Sequence, residues 1–246
     1  MLKAWSIFTV EMNPPQNRHY SHISSSSNSA TKKFRAFRME LLPKESVYVR
    51  FPTTLSSMES SRLLIRPIVD TDAPALFAIR SRPEVAAHNH PKEPFKSLEQ
   101  TREWMTFKIY KDGPPDIVGR SFNFAILDKS IPDTQDQLIG YVSVNMVVPC
   151  PEIGYSLLPE SWGKGYATEA LQMMLKIWWD LPRRNDTESR GGDSSDGKRA
   201  DKVYAICQAG NHASRKVLTK AGFEIAEEIT YEGDDLLLFA TERPKA

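Results

Sequence analysis

From Arg62 to Val69 the apolar positions Leu63, Ile65 and Ile68 alternate with polar ones, which predicts a strand. Asp70 to Asp72 then supply capping carboxylates ahead of Ala75, Leu76 and Ile79, which fall on one helical face. Ser97 and Gln100 have capping-box spacing and open a second helix, whose apolar positions Trp104, Phe107 and Ile109 run to a stop at Gly113-Pro114-Pro115. Three strands follow. Phe122, Phe124 and Ile126 alternate; Leu138 to Val148 is long and β-branched after the polar turn Asp133 to Asp136; Ile153 to Leu158 follows Pro149 and Pro151. After a glycine-bearing turn comes a helix with Ala167, Ala170, Leu171, Met174 and Trp178 on one face. Val203 to Cys207 is a strand, Ala213 to Ala221 a short helix closed by Gly222, and Phe223 to Ile229 and Leu236 to Ala240 are the last two strands. The order β α α β β β α β α β β, without an internal repeat, predicts a single α/β (α+β) domain over residues 59–246.

Two stretches lack a period. Arg183 to Asp201 is rich in Gly, Ser and both charge signs, too hydrophilic to bury, and reads as a polar surface loop inserted in the domain. Residues 1–58 hold ten serines, four of them consecutive at Ser24 to Ser27, and eight basic against three acidic side chains. They read as a disordered basic leader, whereas the remaining residues are slightly acidic. The first 38 residues contain one acid, Glu11, which is the balance of a mitochondrial presequence. The competing reading is a dispensable extension, since Met58 stands directly before the first strong strand. Neither reading gives residues 1–58 any chemistry.

Composition narrows the function classes. The net charge is +1, which gives no electrostatic case for nucleic acid. The longest unbroken apolar runs, Leu236 to Ala240 among them, are far short of the roughly 18 residues of a membrane span. Cys150 and Cys207 cannot make a disulfide framework and read as small buried residues of a reducing compartment, so the expected location is cytoplasmic, or mitochondrial if the leader is a presequence. His88 and His90 flank Asn89 in a nuclease-like string, but no metal-ligand company accompanies them and no metal is expected. Nothing in the sequence fixes the oligomeric state.

The informative constellation is Trp162-Gly163-Lys164-Gly165-Tyr166-Ala167-Thr168-Glu169, between a strand and an amphipathic helix. Glycines at 163 and 165 let the backbone approach a ligand and turn its amides outward, and the helix adds its dipole and free first-turn donors. This is a pyrophosphate cradle or, taken alone, an ordinary glycine turn. A P-loop would need Ser or Thr after Gly-Lys, where Gly165 stands. A dinucleotide fingerprint would need a third glycine where Thr168 stands.

Four segments in this order resemble the GNAT family of acetyl-CoA-dependent N-acetyltransferases, most closely its branch that includes the bacterial ribosomal-protein N-terminal acetyltransferases. They are Leu63-Leu64-Ile65-Arg66-Pro67, Glu152-Ile153-Gly154-Tyr155, Trp162 to Glu169, and Asn211-x-x-Ser214 leading to Gly222-Phe223. The resemblance runs from about Arg62 to Thr241. The family's cofactor signature is Gln or Arg, two variable residues, Gly, one variable, Gly or Ala; Gly165 and Ala167 fill its fixed places, and Trp162 departs from it at the first. The resemblance implies a mixed sheet of about seven strands, splayed between the fourth and fifth and flanked by about four helices.

It also implies direct transfer of acetyl from acetyl-CoA to a primary amine: a peptide N-terminus, a lysine or a small molecule. Backbone groups of Tyr155, Ser156 and Leu157 would pair with the pantetheine arm and the thioester oxygen. The amides of Gly163 to Thr168, including Tyr166, would hold the pyrophosphate, with Lys164 as an added charge. Asn211 would bond the pantetheine while also serving as a helix cap. Many family members place a tyrosine further along this helix; Val217, Leu218 and Thr219 stand there, so Ser214 is the candidate to protonate the thiolate, against a plain helix serine. A protonated amine must lose its proton near neutral pH, and Glu152, acting through water, is the candidate base, against a salt-bridged strand residue. Glu169 reads as a first-turn helix residue and Cys150 as structural. Substrate choice would lie around Arg80 to Phe95 and Tyr231 to Asp235. The second class of reading is a GNAT-like domain without catalysis, acting as an acyl-CoA-binding or scaffolding module.

Overall fold

The computed structural model describes residues 36–38, 40–44, 49–89, 92–106, 108–110, 122–132, 137–147, 149–183 and 201–245. Alternating apolar residues build one eight-stranded sheet: β1 (Met58–Glu59), β2 (Leu63–Pro67), β3 (Phe122–Asp128), β4 (Leu138–Met146), β5 (Glu152–Leu157), β6 (Lys202–Gln208), β7 (Glu224–Tyr231) and β8 (Asp234–Glu242). Their spatial order is β1-β2-β3-β4-β5-β6-β8-β7. Neighbours are antiparallel except β5 and β6, which run parallel and share only the pairs Glu152↔Tyr204 and Ile153↔Ala205. Past Ile153 they part. The expected splay between the fourth and fifth strands falls here, and the eighth strand is the two-residue β1.

Helices cover the sheet: α1 (Ala73–Arg80), α2 (Pro83–Ala86), α3 (Leu98–Met105), α4 (Tyr166–Asp180) and α5 (His212–Lys220). The predicted face of α4 is buried, and Trp178 meets Phe122 edge-on, with ring centroids 5.7 Å apart. Leu76 and Ile79 of α1 and Met105 of α3 pack with Ile68, Leu138 and Tyr141 in a second cluster. Close packing also sets the junction of β4 and β5: a Cβ at Gly140 would stand 2.5 Å from the Ser156 carbonyl oxygen, so no larger residue fits there.

Several local expectations are corrected. Asp72 stands at the N-cap of α1 without capping that helix; its carboxylate accepts from the Val69 amide at 2.9 Å, the acidic half of a capping box on the 3-10 turn Asp70–Asp72, and binds Arg66 at 2.8 and 2.6 Å, because a buried acid is better satisfied by a guanidinium. Ser97 caps α3 by accepting from the Gln100 amide, while Gln100 reaches back to the Lys96 amide. The helix ends at Met105 and tightens into a turn closed on the Met105 carbonyl, earlier than the apolar spacing predicts. Phe107, the Gly113-Pro114-Pro115 stop, the Asp133 to Asp136 turn, Val148, His90 and most of the polar insertion lie outside the described residues. At the base of that insertion Arg183 and Asp201 pair at 2.5 Å.

The largest departure concerns the leader. Residues 36–38 and 40–41 are helical, and Leu42, 1% exposed, packs with Cys150, Tyr204 and Leu238. Further on, Val49 bridges to Arg183, and the Phe51 ring lies 6.2 Å from that of Trp178. Single anchors at irregular spacing hold this segment, so periodicity does not register it.

Candidate active site

The parting of β5 and β6 opens a cleft of about 1310 Å³ between the two halves of the sheet. Its one end is the loop after β5. Gly163 and Gly165 adopt φ of +74° and +82°, a left-handed conformation that side-chain-bearing residues resist, and nothing lies within 4 Å of a Cβ built at Gly163. Among the described residues the amides of Gly163 to Thr168 have no protein acceptor, and the helix dipole of α4 starts at the same point. Gly163, Gly165, Tyr166, Ala167 and Thr168 line the cleft. This row of free donors matches a pyrophosphate in charge and in space.

Behind the loop is a brace that the motif does not announce. Arg62 donates to the Lys164 carbonyl at 2.9 Å and forks onto Glu169, whose other oxygen accepts from Ser60 at 2.5 Å. Glu169 is thus a structural acid in the first turn, as expected. The Lys164 ammonium lies 6.0 Å from the Tyr166 ring rather than in the cleft. Trp162 has the polar role that its departure from the signature leaves open: its indole N–H donates to the Leu157 carbonyl at 3.0 Å.

That contact revises the reading of β5. Successive backbone groups of a strand point to opposite edges. The Leu158 amide bonds to the Ile139 carbonyl and the Ser156 carbonyl abuts Gly140, so Gly154 and Ser156 commit their backbone to β4. Tyr155 and Leu157 therefore face the gap, and the Leu157 carbonyl is already taken. Tyr155 keeps a backbone edge toward the cleft; Ser156 does not.

Asn211 caps α5 by accepting from the Ser214 amide at 3.0 Å, in line with its cap reading. The Ser214 hydroxyl lies 2.7 Å from the Tyr155 hydroxyl. The tyrosine that α5 lacks is thus delivered from β5. Burial raises the Tyr155 phenol well above its ordinary range, so it stays protonated. Burial likewise pushes the neighbouring Cys207 thiol up to about 11, against the opposing hydrogen bond from Ser214 and the charge of Arg215, which leaves it a thiol. Cys150 is fully buried.

At the inner end Glu152 is only 5% exposed and forms an ion pair with Arg38, from the segment upstream of the domain. Phe37 stacks on Tyr231 with ring centroids 3.7 Å apart. Lys92 bonds both oxygens of Asp234 at 2.7 and 2.6 Å, clasping the two stretches expected to choose the substrate. His88 lines the cleft and meets Gln208 at 3.4 Å. Lys108 also lines it. Its amine donates to Asn145 at 3.0 Å and sits 5.4 Å from the centre of the Trp104 ring. Burial, then the charges of Arg80 and Arg38, push it down to about 7. Sequence reasoning did not flag Arg38, Arg62 or Lys108, and no local pattern marks them. Among the described residues no cluster could hold a metal ion.

The acetyltransferase (GNAT) domain model matches residues 62–224. The uncharacterized N-acetyltransferase YoaA of Bacillus subtilis (strain 168) is 28% identical over 171 residues, covering 68% of this chain and 82% of that protein. The uncharacterized N-acetyltransferase p20 of Bacillus licheniformis is 30% identical over 139 residues, covering 55% and 73%. Among solved structures, a ribosomal-protein alpha-N-acetyltransferase in complex with coenzyme A superposes with a TM-score of 0.54 at 18% identity, over 76% of this chain and 98% of that one. A spermidine N-acetyltransferase from Vibrio cholerae, in complex with CoA and spermine, gives 0.52 at 17% identity, over 75% and 97%.

Proposed function

This chain belongs to the GNAT acetyltransferase family, and from that premise we propose that it moves the acetyl group of acetyl-CoA directly onto a primary amine of a peptide N-terminus, a lysine or a small molecule. The observation that carries the reading is the row of unpartnered amides from Gly163 to Thr168, opening onto the gap between β5 and β6. Acetyl-CoA, when bound, supplies the thioester-activated acyl group. Gly163, Gly165, Tyr166, Ala167 and Thr168 hold its pyrophosphate by N–H donation. The Tyr155 backbone edge holds the pantetheine arm and the thioester oxygen, and Asn211 orients the same arm from the start of α5.

Ser214 donates a proton to the departing thiolate and is resupplied by Tyr155, 2.7 Å away. Glu152 accepts the proton of the acceptor amine through water once the incoming cation takes the place of Arg38. At the inner end, Glu152, Asp234 and the Tyr231 ring become available to such a cation when it displaces Arg38 and Lys92 from the two acids.

Thermal unfolding of the full chain with and without saturating acetyl-CoA tests the reading, beside a Gly165→Asp variant whose carboxylate repels the pyrophosphate. Ligand at about 100 times its Kd stabilises a fold by about 2.7 kcal/mol. For a domain of this size that is roughly 5 to 11 °C. A shift lost in the variant supports the site and leads to amine screening by thiol release. No shift in the parent overturns the reading, and a shift without thiol release for any amine leaves a binding module.

A further inference from the structure

Lys108 stands apart from the machinery described so far. It follows α3 and lines the cleft, and its buried amine bonds Asn145 and no carboxylate among the described residues. Glu152 of β5 is engaged by Arg38, and Arg80 of α1 is turned to the Tyr141 hydroxyl of β4, at 3.1 Å. Two cations and one already neutralised acid therefore face this amine. Its acceptor, Asn145 Oδ1, also takes the Ser143 hydroxyl at 2.9 Å. The Asn145 amide nitrogen is packed on Gly154, where a Cβ would come within 2.6 Å. Gly154 directly precedes Tyr155, whose backbone opens to the gap. The chain from Lys108 through Asn145 to Gly154 thus brings an amine to the stretch of β5 that receives the thioester.

We propose that Lys108 is an internal acetyl acceptor, modified by acetyl-CoA bound in its own cleft. The inference rests on the acetyl-CoA reading above. The neutral Nζ forms a bond to the thioester carbonyl carbon, and the C–S bond breaks. The Tyr155–Ser214 pair gives a proton to the thiolate, and the proton shed by the new amide nitrogen returns to that pair through solvent. The products are N-acetyl-lysine and free coenzyme A thiol. Burial, with two cations facing it and Glu152 already engaged by Arg38, holds the amine neutral near physiological pH, the form that attacks. Acetylation removes the amine permanently from the cleft, so the event limits itself to one per chain.

The test is peptide mass mapping of the full chain after incubation with isotopically labelled acetyl-CoA. The expected result is label at Lys108 at least about tenfold faster than at the exposed Lys96 and Lys176, with a first-order rate independent of protein concentration. The rate should rise about tenfold from about pH 6 to about pH 8 and then level, the course of a group titrating near 7. Gly165→Asp, and separately an excess of desulfo-coenzyme A, should abolish it. A thermal shift with acetyl-CoA but no preferential label at Lys108 overturns this inference and leaves the acetyltransferase reading intact. Label that survives desulfo-coenzyme A is plain chemical acetylation and also overturns it. Absence of the thermal shift overturns both.

Discussion

The two ends of the cleft are built from different materials. At the loop end the ligand-facing groups are main-chain amides, turned outward by two left-handed glycines and braced from behind by Arg62. At the inner end they are side chains gathered from distant parts of the chain: Arg38 from upstream, Lys108 after α3, Glu152 on β5, and Asp234 beside Tyr231 at the turn of β7 and β8. A backbone site tolerates almost any side chain around it, whereas a side-chain site is altered by each replacement. One end can thus hold a constant ligand while the other is free to change its partner.

The sharpest break between the two falls on the residues that join them. Tyr155→Phe combined with Ser214→Ala should cut the rate of thiol release with the best amine acceptor by roughly 10²- to 10³-fold. Acetyl-CoA affinity, read from the thermal shift, should stay within about threefold, since the loop amides are untouched. Next comes the inner end. Arg38→Ala leaves the buried Glu152 carboxylate without its cation and should cost about 3 kcal/mol in denaturant unfolding. Arg38→Ala with Glu152→Gln should recover most of that loss. At the loop end, Arg62→Ala releases the Lys164 carbonyl and Glu169, and should weaken acetyl-CoA about tenfold without moving the amine KM.

A smaller effect follows from Lys108. Its value is about 7 in the folded protein against an ordinary 10.5, so between those pH values the unfolded chain binds the extra proton. This residue therefore makes stability rise with pH across that window, and Lys108→Met should flatten the slope in urea melts at successive pH values. The smallest effect belongs to side chains of the loop. Lys164→Ala and Thr168→Ala should each change acetyl-CoA affinity by less than about threefold, because their amides do the holding. A larger loss at Lys164 would show that the loop end uses side chains after all.

The same contrast explains what the sequence makes legible. Gly163, Gly165 and the apolar face of α4 are local patterns, and local patterns survive translation into structure: α4 and the Asn211 cap of α5 stand where the residue pattern places them, and the splay stands where the family resemblance implies it. Ser214 is found by motif. Its partner Tyr155 is not, because a hydroxyl arriving from a strand 59 positions earlier leaves no trace in the helix that lacks it. Arg38 closes an acid-poor stretch followed by the isolated anchors Leu42, Val49 and Phe51, which no period marks, and the register of β5, not its sequence, decides that Tyr155 rather than Ser156 faces the gap. Lys108 is one lysine among many until the fold encloses it.

The two-pair contact between β5 and β6 also makes the ligand a building element. Among the described residues, two register pairs are the only ladder rungs between the strands β1 to β5 and the strands β6, β8 and β7. On the proposed reading, a pantetheine arm lying in the gap would add rungs where the strands have none, completing the sheet as a further strand would. Without it the two half-sheets should open as separate cooperative units, with amide exchange in β4 and in β6 proceeding independently. With it they should exchange together, the donor welding the scaffold during the interval in which its acyl group is at risk of hydrolysis.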